Sequence, residues 1–266
     1  MRETSHARMW QARSSKPLDA VVREAQALPR PAALKPSTEG FDLIAEVKKA
    51  SPSQGQLSHA TDTDLIQRAV DYANAGAIAV SVLTEPQRFG GDMEHLRAIA
   101  AELRPLGVPA MRKDFVVDIY QVWEAAAAGA GGVLLILRIL EDQDIMDMLE
   151  AAAQAKMFVL LEAFDEADLR RALPFVGVHQ RVLVGLNARD LETLKVDTQR
   201  LISLSRQFPA NCLRVAESGL NAASDLAAVA GAGYQLALVG SALMRAQNPK
   251  GLIRDFLAAG REASQW

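Results

Sequence analysis

Acidic, basic, amide and hydroxyl side chains stand at or near the ends of several apolar runs in this sequence. They are Glu46, Lys48, Lys113, Glu162, Asn187, Glu217 and Ser218. Lysines and glutamates in mutual contact can have pKa values that lie far apart, so that one group donates a proton while another accepts it. These residue types therefore indicate general acid–base chemistry, provided that the fold brings them to one place.

The segments that carry these residues alternate between strand and helix. Eight apolar runs have strand composition, and amphipathic segments with helical periodicity separate them. The predicted strands are residues 43–49, 77–83, 108–113, 132–137, 157–163, 181–188, 213–219 and 235–240. Repeated strand–helix units imply parallel strands with right-handed crossovers, and eight units predict an α/β fold, the (β/α)8 TIM barrel. A doubly wound open sheet is the alternative, but no glycine-rich nucleotide-binding turn follows the first strand.

The first 40 residues do not follow this repeat. Residues 17–28 are predicted to be helical, and residues 29–36 have the proline content of a linker. We interpret the chain as an N-terminal helical extension, residues 1–40, packed on a catalytic (β/α)8 barrel domain, residues 41–266.

The carboxyl ends of the strands form the active-site face of such a barrel. Alternation in the first strand places Ile44, Glu46 and Lys48 on one face and apolar residues on the other. Because helices cover the outside, the apolar face points outward, and Glu46 and Lys48 point into the barrel mouth. A structural ion pair would explain these two residues alone, but lysine, glutamate and asparagine from three other strands reach the same rim.

A group of small residues predicts a phosphate site at the same end of the barrel. Gly219, Gly240 and Ser241 fall in the loops after strands seven and eight, and Ser51 follows strand one. Many barrels bind phosphate in those loops through backbone N–H groups and a helix N-terminus. Turn chemistry alone would also explain a glycine–serine pair. Aromatic residues after strands two and three are suited to hold an aromatic substrate at this face.

Composition and charge exclude several classes of function. The 266-residue chain has a net charge of −3, one cysteine and four scattered histidines. This charge balance argues against nucleic-acid binding, and the spacing of histidine and cysteine argues against a metal site. The apolar runs are too short to span a membrane, and the N-terminus has no apolar signal core. We expect a cytoplasmic protein that binds a small anionic molecule, contacts neither nucleic acid nor membrane, and is a monomer or weak homo-oligomer.

The motifs at the strand ends resemble those of the indole-3-glycerol phosphate synthase family of tryptophan biosynthesis. The matching segments are residues 44–53, 81–85, 89–91, 112–115, 120–122, 134–136, 161–162, 185–191, 216–219 and 238–241. They occur in order and extend over most of the chain. The resemblance implies a TIM-barrel lyase that closes 1-(2-carboxyphenylamino)-1-deoxyribulose 5-phosphate into indole-3-glycerol phosphate. Carbon dioxide and water are released, and the family uses neither a metal nor an organic cofactor.

The same resemblance implies roles for the candidate residues. Lys113 resembles the general acid that activates the substrate carbonyl during ring closure. Lys48 resembles the residue that meets the substrate carboxylate and assists proton transfer, and Glu162 resembles the acid–base partner in the later dehydration. Glu46 and Asn187 resemble positioning and polarising residues.

The remaining candidates resemble three parts of the family's active site. The active-site strand carries Glu217 and Ser218. The implied phosphate cradle is Ser51, Gly219, Gly240 and Ser241, with Arg189 at its rim. The implied apolar slot for the aromatic ring is Pro52, Phe89, Phe115 and Leu134.

Three alternatives stay open at this point. Gly131, Ala188 and the pair Ala163–Phe164 depart from the family's pattern, which leaves room for a paralogue of a secondary pathway with a modified aromatic substrate. Another sugar-phosphate barrel enzyme, such as phosphoribosylanthranilate isomerase, usually works with a Cys/Asp pair, whereas Cys212 stands at the start of strand seven. The third alternative is a non-catalytic metabolite-binding barrel, against which both lysines and both glutamates argue.

Overall fold

Eight parallel strands form a closed barrel in sequential order, so that the first strand pairs with both the second and the last. The computed structural model describes residues 2–51, 55–56, 61–178, 181–191 and 193–264. The barrel strands are β1 (Asp42–Val47), β2 (Ala79–Leu83), β3 (Ala110–Lys113), β4 (Gly132–Ile136), β5 (Phe158–Ala163), β6 (Val182–Asn187), β7 (Leu213–Glu217) and β8 (Leu236–Val239). The predicted TIM barrel is confirmed, and the ends of the predicted strands differ from the observed ones by at most two residues.

Helices connect the strands and cover the outside of the barrel. They are α1 (Arg2–Ser15), α2 (Leu18–Ala27), α3 (Asp62–Asn74), α4 (Pro86–Phe89), α5 (Met93–Leu103), α6 (Ile119–Ala127), α7 (Asp142–Gln154), α8 (Glu166–Ala172), α9 (Gln199–Ser203), α10 (Ala223–Gly231), α11 (Ser241–Arg245) and α12 (Pro249–Ala263). A hairpin of two short strands, Ala50–Ser51 and Gly55–Gln56, follows β1. Within the described ranges, none of the helices has the length and apolar character needed to cross a bilayer.

Strand alternation divides the apolar residues of the barrel into two clusters. In β1, Leu43, Ala45 and Val47 belong to the large cluster between strands and helices. Ile44 belongs to the smaller cluster inside the barrel. Glu46 is the next inward-facing residue, so charged groups at the mouth lie directly above an apolar interior.

The helix α1 lies against the loop that follows β3. Its Arg8 donates hydrogen bonds of 3.0 and 2.7 Å to the two carboxylate oxygens of Asp114. The hydroxyl of Ser5 donates to the carbonyl of Phe115, and the side-chain amide of Gln121 donates to Ser5 over 3.1 Å. The extension therefore contains two helices, where one was predicted, and α1 is anchored beside the barrel mouth through polar side chains.

Candidate active site

The barrel mouth encloses a cavity of about 390 Å³ at the carboxyl ends of the strands. Fourteen of the sixteen sequence-predicted residues line it: Glu46, Lys48, Phe89, Lys113, Phe115, Leu134, Glu162, Asn187, Arg189, Glu217, Ser218, Gly219, Gly240 and Ser241. Ser51 lies in the short strand after β1, and Pro52 lies outside the described residues. The expected convergence of polar residues from separate strands at one rim is therefore observed.

Lys113, at the end of β3, forms the centre of the polar group. Its Nζ lies 3.5 Å from Oε1 of Glu162 and 3.4 Å from Oε2 of Glu217. Burial alone would lower the pKa of Lys113, but the charges of Glu162, Glu217 and Glu46 raise it above its usual value. The lysine is therefore an ammonium group throughout the physiological pH range.

Glu217, at the end of β7, is almost fully buried beside Lys113. Burial and the neighbouring charge of Glu162 raise the pKa of Glu217 to about 8, against the opposing attraction of Lys113. Its Oε1 is buried and has no hydrogen-bond partner among the described residues. A carboxyl group with this pKa can hold or release a proton near neutral pH, as acid–base catalysis requires.

Asn187 holds the carboxylate of Glu162 in one orientation. Its Nδ2 donates a hydrogen bond of 2.5 Å to Oε1 of Glu162. Its Oδ1 accepts the backbone N–H of Arg189 over 2.8 Å. Because the amide oxygen is already engaged, the amide nitrogen must face Glu162.

Glu46 and Lys48 form a second pair on the β1 side of the mouth. The ammonium of Lys48 donates to Oε1 of Glu46, and both side chains are largely buried. An added Cβ at Gly240 would lie 3.0 Å from Nζ of Lys48 and closer still to the carboxylate of Glu46. The absence of a side chain at Gly240 therefore makes room for this pair.

The loop after β7 turns sharply at the edge of the cavity. Ser218 and Gly219 have φ angles of 68° and 79°, so both are in the left-handed region. An added Cβ at Gly219 would lie inside the contact distance of Thr198 and Val196, so glycine suits this position on both counts. Gly240 follows the neighbouring strand, β8, and immediately precedes the short helix α11.

Apolar residues line the cavity wall beneath these loops. Phe115 and Leu134 belong to the cluster inside the barrel, and Phe89 packs against it. Glu85 fixes the position of Phe89, because its carboxylate accepts the backbone N–H groups of Gln87, Arg88 and Phe89 at the start of α4. Glu85 therefore caps this helix and holds an aromatic ring at the mouth.

Several lining residues were not predicted. They are Leu83, Glu85, Arg88, Asp114, Ile136, Leu191, Leu194, Val196, Leu220, Asn221, Leu238 and Val239. Glu85 followed by Pro86 has the sequence pattern of a helix cap with proline at the first position, which could have identified α4. Arg88 belongs to the same helix, and the remaining residues belong to loops or strands whose direction only the fold determines.

The described residues give no support for a metal centre or a cysteine nucleophile at the mouth. Across those residues, no cluster of three or more histidine, cysteine or acidic side chains is placed to hold a metal ion. Cys212 precedes β7, at the opposite end of that strand from Glu217, and its thiol donates to the carbonyl of Pro209 over 3.3 Å. Burial raises the pKa of this thiol to about 11, so it is not a thiolate at neutral pH.

Fold and site together define a (β/α)8 barrel whose mouth places lysine–carboxylate contacts beside an apolar pocket, an arrangement suited to acid–base chemistry. Comparison with known protein families is consistent with this class and narrows it. The family model for indole-3-glycerol phosphate synthase matches residues 4–256. The chain belongs to the indole-3-glycerol phosphate synthase family, and its activity is the decarboxylating ring closure of that family's lyases.

Individual relatives agree with this family. The chain is 40% identical over 251 residues to an indole-3-glycerol phosphate synthase of Mycolicibacterium vanbaalenii, covering 93% of this chain and 88% of that protein. It is 41% identical over 239 residues to the same enzyme of Kineococcus radiotolerans, covering 90% and 83%. A 3-hexulose-6-phosphate synthase structure from Salmonella typhimurium matches with a TM-score of 0.65 at 14% identity, covering 84% of this chain and 100% of that one. The structural match supports the fold alone, and the family match does not favour the isomerase or a secondary-pathway paralogue.

Proposed function

We propose that the cavity binds 1-(2-carboxyphenylamino)-1-deoxyribulose 5-phosphate with its carbonyl beside Lys113, and that Lys113 is the general acid of ring closure. The observation that carries this proposal is the position of Lys113, whose Nζ lies 3.5 Å from Glu162 and 3.4 Å from Glu217 at the cavity wall. An ammonium held between carboxylates can first donate a hydrogen bond to a carbonyl oxygen and then a proton. The resulting activation favours attack by the aromatic carbon.

The other polar residues divide the later steps between them. Lys48, paired with Glu46, meets the substrate carboxylate and assists proton transfer as carbon dioxide leaves. Glu162 exchanges a proton during loss of water, and Asn187 donates to Oε1 of Glu162 and so keeps that carboxylate directed toward the reacting group. Glu217 and Ser218 contribute from the neighbouring end of β7, where the carboxyl of Glu217 can exchange a proton near pH 8.

The two ends of the substrate contact different walls of the cavity. The phosphate is held by backbone N–H groups of Gly219, Gly240 and Ser241, with Arg189 at the rim and Ser51 supplied by the segment after β1. This placement is supported by the sharp turn after β7 and the start of α11 on the adjacent strand. The aromatic ring packs on Phe115, Leu134 and Phe89. Rigid walls of this kind can hold the reacting carbons within about 3.5 Å of each other.

The proposal predicts a large kinetic effect of Lys113→Ala. Turnover should fall by roughly two to four decades, as is typical when a general acid is removed. The Michaelis constant should change far less, because the phosphate contacts remain. Product formation can be followed by indole fluorescence, with Lys250→Ala as the matched control, since Lys250 pairs with Asp71 on the barrel surface. Turnover within threefold of the parent would exclude the assigned role.

We further propose that the enzyme is cytoplasmic and acts as a monomer or weak homo-oligomer without a metal or organic cofactor. The family's place in small-molecule biosynthesis supports the first point. The second is supported by the large exposed apolar side chains, which are spread over separate helices and loops, such as Trp10 on α1, Met146 on α7 and Val178 in a loop. Sedimentation at micromolar and nanomolar concentrations tests the oligomeric state.

A further inference from the structure

Gly185 occupies an unusual position in the middle of β6. It pairs with Glu162 of β5 on one side and with Val215 of β7 on the other, in an unbroken parallel register. Gly185 does not have a positive φ angle. A glycine inside a strand weakens the strand unless another group approaches the backbone closely. The regular conformation therefore indicates that Gly185 is needed for space and not for backbone freedom.

The group that occupies this space is the carboxyl of Glu217. A Cβ added at Gly185 would overlap Oε1 of Glu217, far inside any normal contact distance, and would lie 3.1 Å from Cδ of Glu217. It would also lie 3.1 Å from Cδ1 of Leu160, the end of a flexible apolar side chain that can shift more easily than the buried carboxyl. The other carboxylate oxygen, Oε2, lies 3.4 Å from Nζ of Lys113. Glu217 is therefore held between the bare backbone of β6 and the central ammonium.

We infer that Gly185 is a positioning residue, whose missing side chain lets the Glu217 carboxyl lie buried against β6 beside Lys113. The inference rests on the proposed role of Glu217 and goes beyond it, because it assigns the geometry of that carboxyl to a residue that carries no functional group. The pair of Gly240 and Glu46 repeats the arrangement on the β1 side of the mouth. Gly185 lies within the strand adjacent to β7, and Gly240 directly follows the strand adjacent to β1, so that at both places a carboxyl lies over a neighbouring glycine.

A methyl group at position 185 would push the Glu217 carboxyl toward the open cavity. There it would be solvated, and its distances to Lys113, Glu162 and Glu46, the charged groups that face it, would increase. The neutral amide of Asn187, also at the end of β6, adds no charge to this set. Because burial is the largest cause of the raised pKa of Glu217, solvation lowers that pKa from about 8 toward an ordinary carboxyl value.

The test is the pH dependence of kcat for the Gly185→Ala enzyme with the anthranilate-bearing ribulose phosphate substrate. We expect kcat at pH 7.5 to fall at least tenfold. The limb of the kcat–pH profile that Glu217 governs, called the pH limb below, should move by at least one pH unit to lower pH. The Michaelis constant should change less than kcat, because phosphate and ring contacts are retained. An unchanged kcat and an unchanged limb in a folded variant would overturn the inference.

Gly132→Ala is the matched control. Gly132 also faces the barrel interior, but its added Cβ would meet the ring of Phe158 and no catalytic group. It should lower the melting temperature without moving the pH limb. If Gly185→Ala behaves in the same way as Gly132→Ala, Gly185 is a packing residue and the inference is wrong.

A double variant tests whether the effect of Gly185→Ala arises from its contact with Glu217 and whether that contact limits folding. Glu217→Asp shortens the carboxyl side chain by one methylene, so that it no longer reaches over position 185. Adding Gly185→Ala to Glu217→Asp should therefore cost little further activity, and should restore folding if Gly185→Ala alone does not fold. Full additivity of the two losses, or a double variant that stays unfolded, would refute the contact. The Glu217→Gln variant separates the two proposals. If it retains wild-type activity, Glu217 itself has no catalytic role. If it loses activity while Gly185→Ala has wild-type activity, only the inference about Gly185 is wrong.

Discussion

Arg8 on α1 allows the contribution of the N-terminal helix to be measured. Its guanidinium contacts the fully buried carboxylate of Asp114, next to Lys113. Burial would raise the pKa of Asp114, but Arg8, Arg112 and the Thr84 hydroxyl hold it at about 2, below its ordinary 3.8. Because one pH unit corresponds to about 1.4 kcal/mol, this net lowering stabilises the fold at neutral pH by about 2.5 kcal/mol relative to a protonated Asp114.

Arg8→Met should remove about half of this stabilisation, roughly 1–1.5 kcal/mol, since the other donors to Asp114 remain. For a chain of this size the melting temperature should fall by about 3–6 °C. A carboxyl with a lowered pKa stabilises the fold above its unfolded-state pKa, and this contribution disappears as the pH falls through the folded-state value. The difference between parent and variant should therefore be constant from pH 7 to 5 and shrink between pH 4 and 2.

Urea unfolding of parent and variant, followed by tryptophan fluorescence at pH 7, 5, 3.5 and 2.5, measures this difference. Arg23→Met is the control, because Arg23 pairs with Asp19 on the exposed face of α2 and should leave the midpoint unchanged. The reasoning fails if Arg8→Met is as stable as Arg23→Met at pH 7. It also fails if the deficit of Arg8→Met is equally large at pH 2.5 and at pH 7, since it should fall to about half over that range.

Three further outcomes are expected. Glu85→Ala should destabilise the fold by about 1 kcal/mol and raise the Michaelis constant, because the cap of α4 is lost and Phe89 shifts; thermal melts beside steady-state kinetics measure both. Gly240→Val should lower kcat as well as raise the Michaelis constant, since the new side chain would displace Glu46 and Lys48; a change in the Michaelis constant alone would contradict that contact. Prolonged dialysis against a chelator should leave kcat/KM unchanged, and loss of activity restored by one divalent ion would contradict a metal-free mechanism.

The barrel was predictable because its signals are local. Alternating and continuous apolar runs mark strands, and their spacing leaves few topologies. The helix α1 was missed for the opposite reason: of its residues only Ser5 and Met9 are buried, and its anchor is an ion pair with a residue 106 positions away. No local pattern carries information about such a partner.

The rim of the active site followed from strand direction, but its internal geometry did not. Side-chain alternation places Glu46 and Lys113 in the mouth once the strands are known. The contact of Glu217 with the backbone of β6 depends on which strands are neighbours and on their register. The phosphate assignment of Gly240 came from its position after the eighth strand and from resemblance, and only the folded structure shows that this glycine also accommodates Glu46 and Lys48.

Closure of the barrel has a consequence for synthesis of the chain. The pairing of Asp42 with Leu236 joins β1 to β8 across nearly 200 residues. At translation speeds of about 5–20 residues per second, β1 waits roughly 10–40 s on the ribosome for its second neighbour. During that interval an apolar strand edge is open to pairing with other chains. We expect nascent chains that end before β8 to be the species that chaperones bind, and completion of β8 to be the step that ends this exposure.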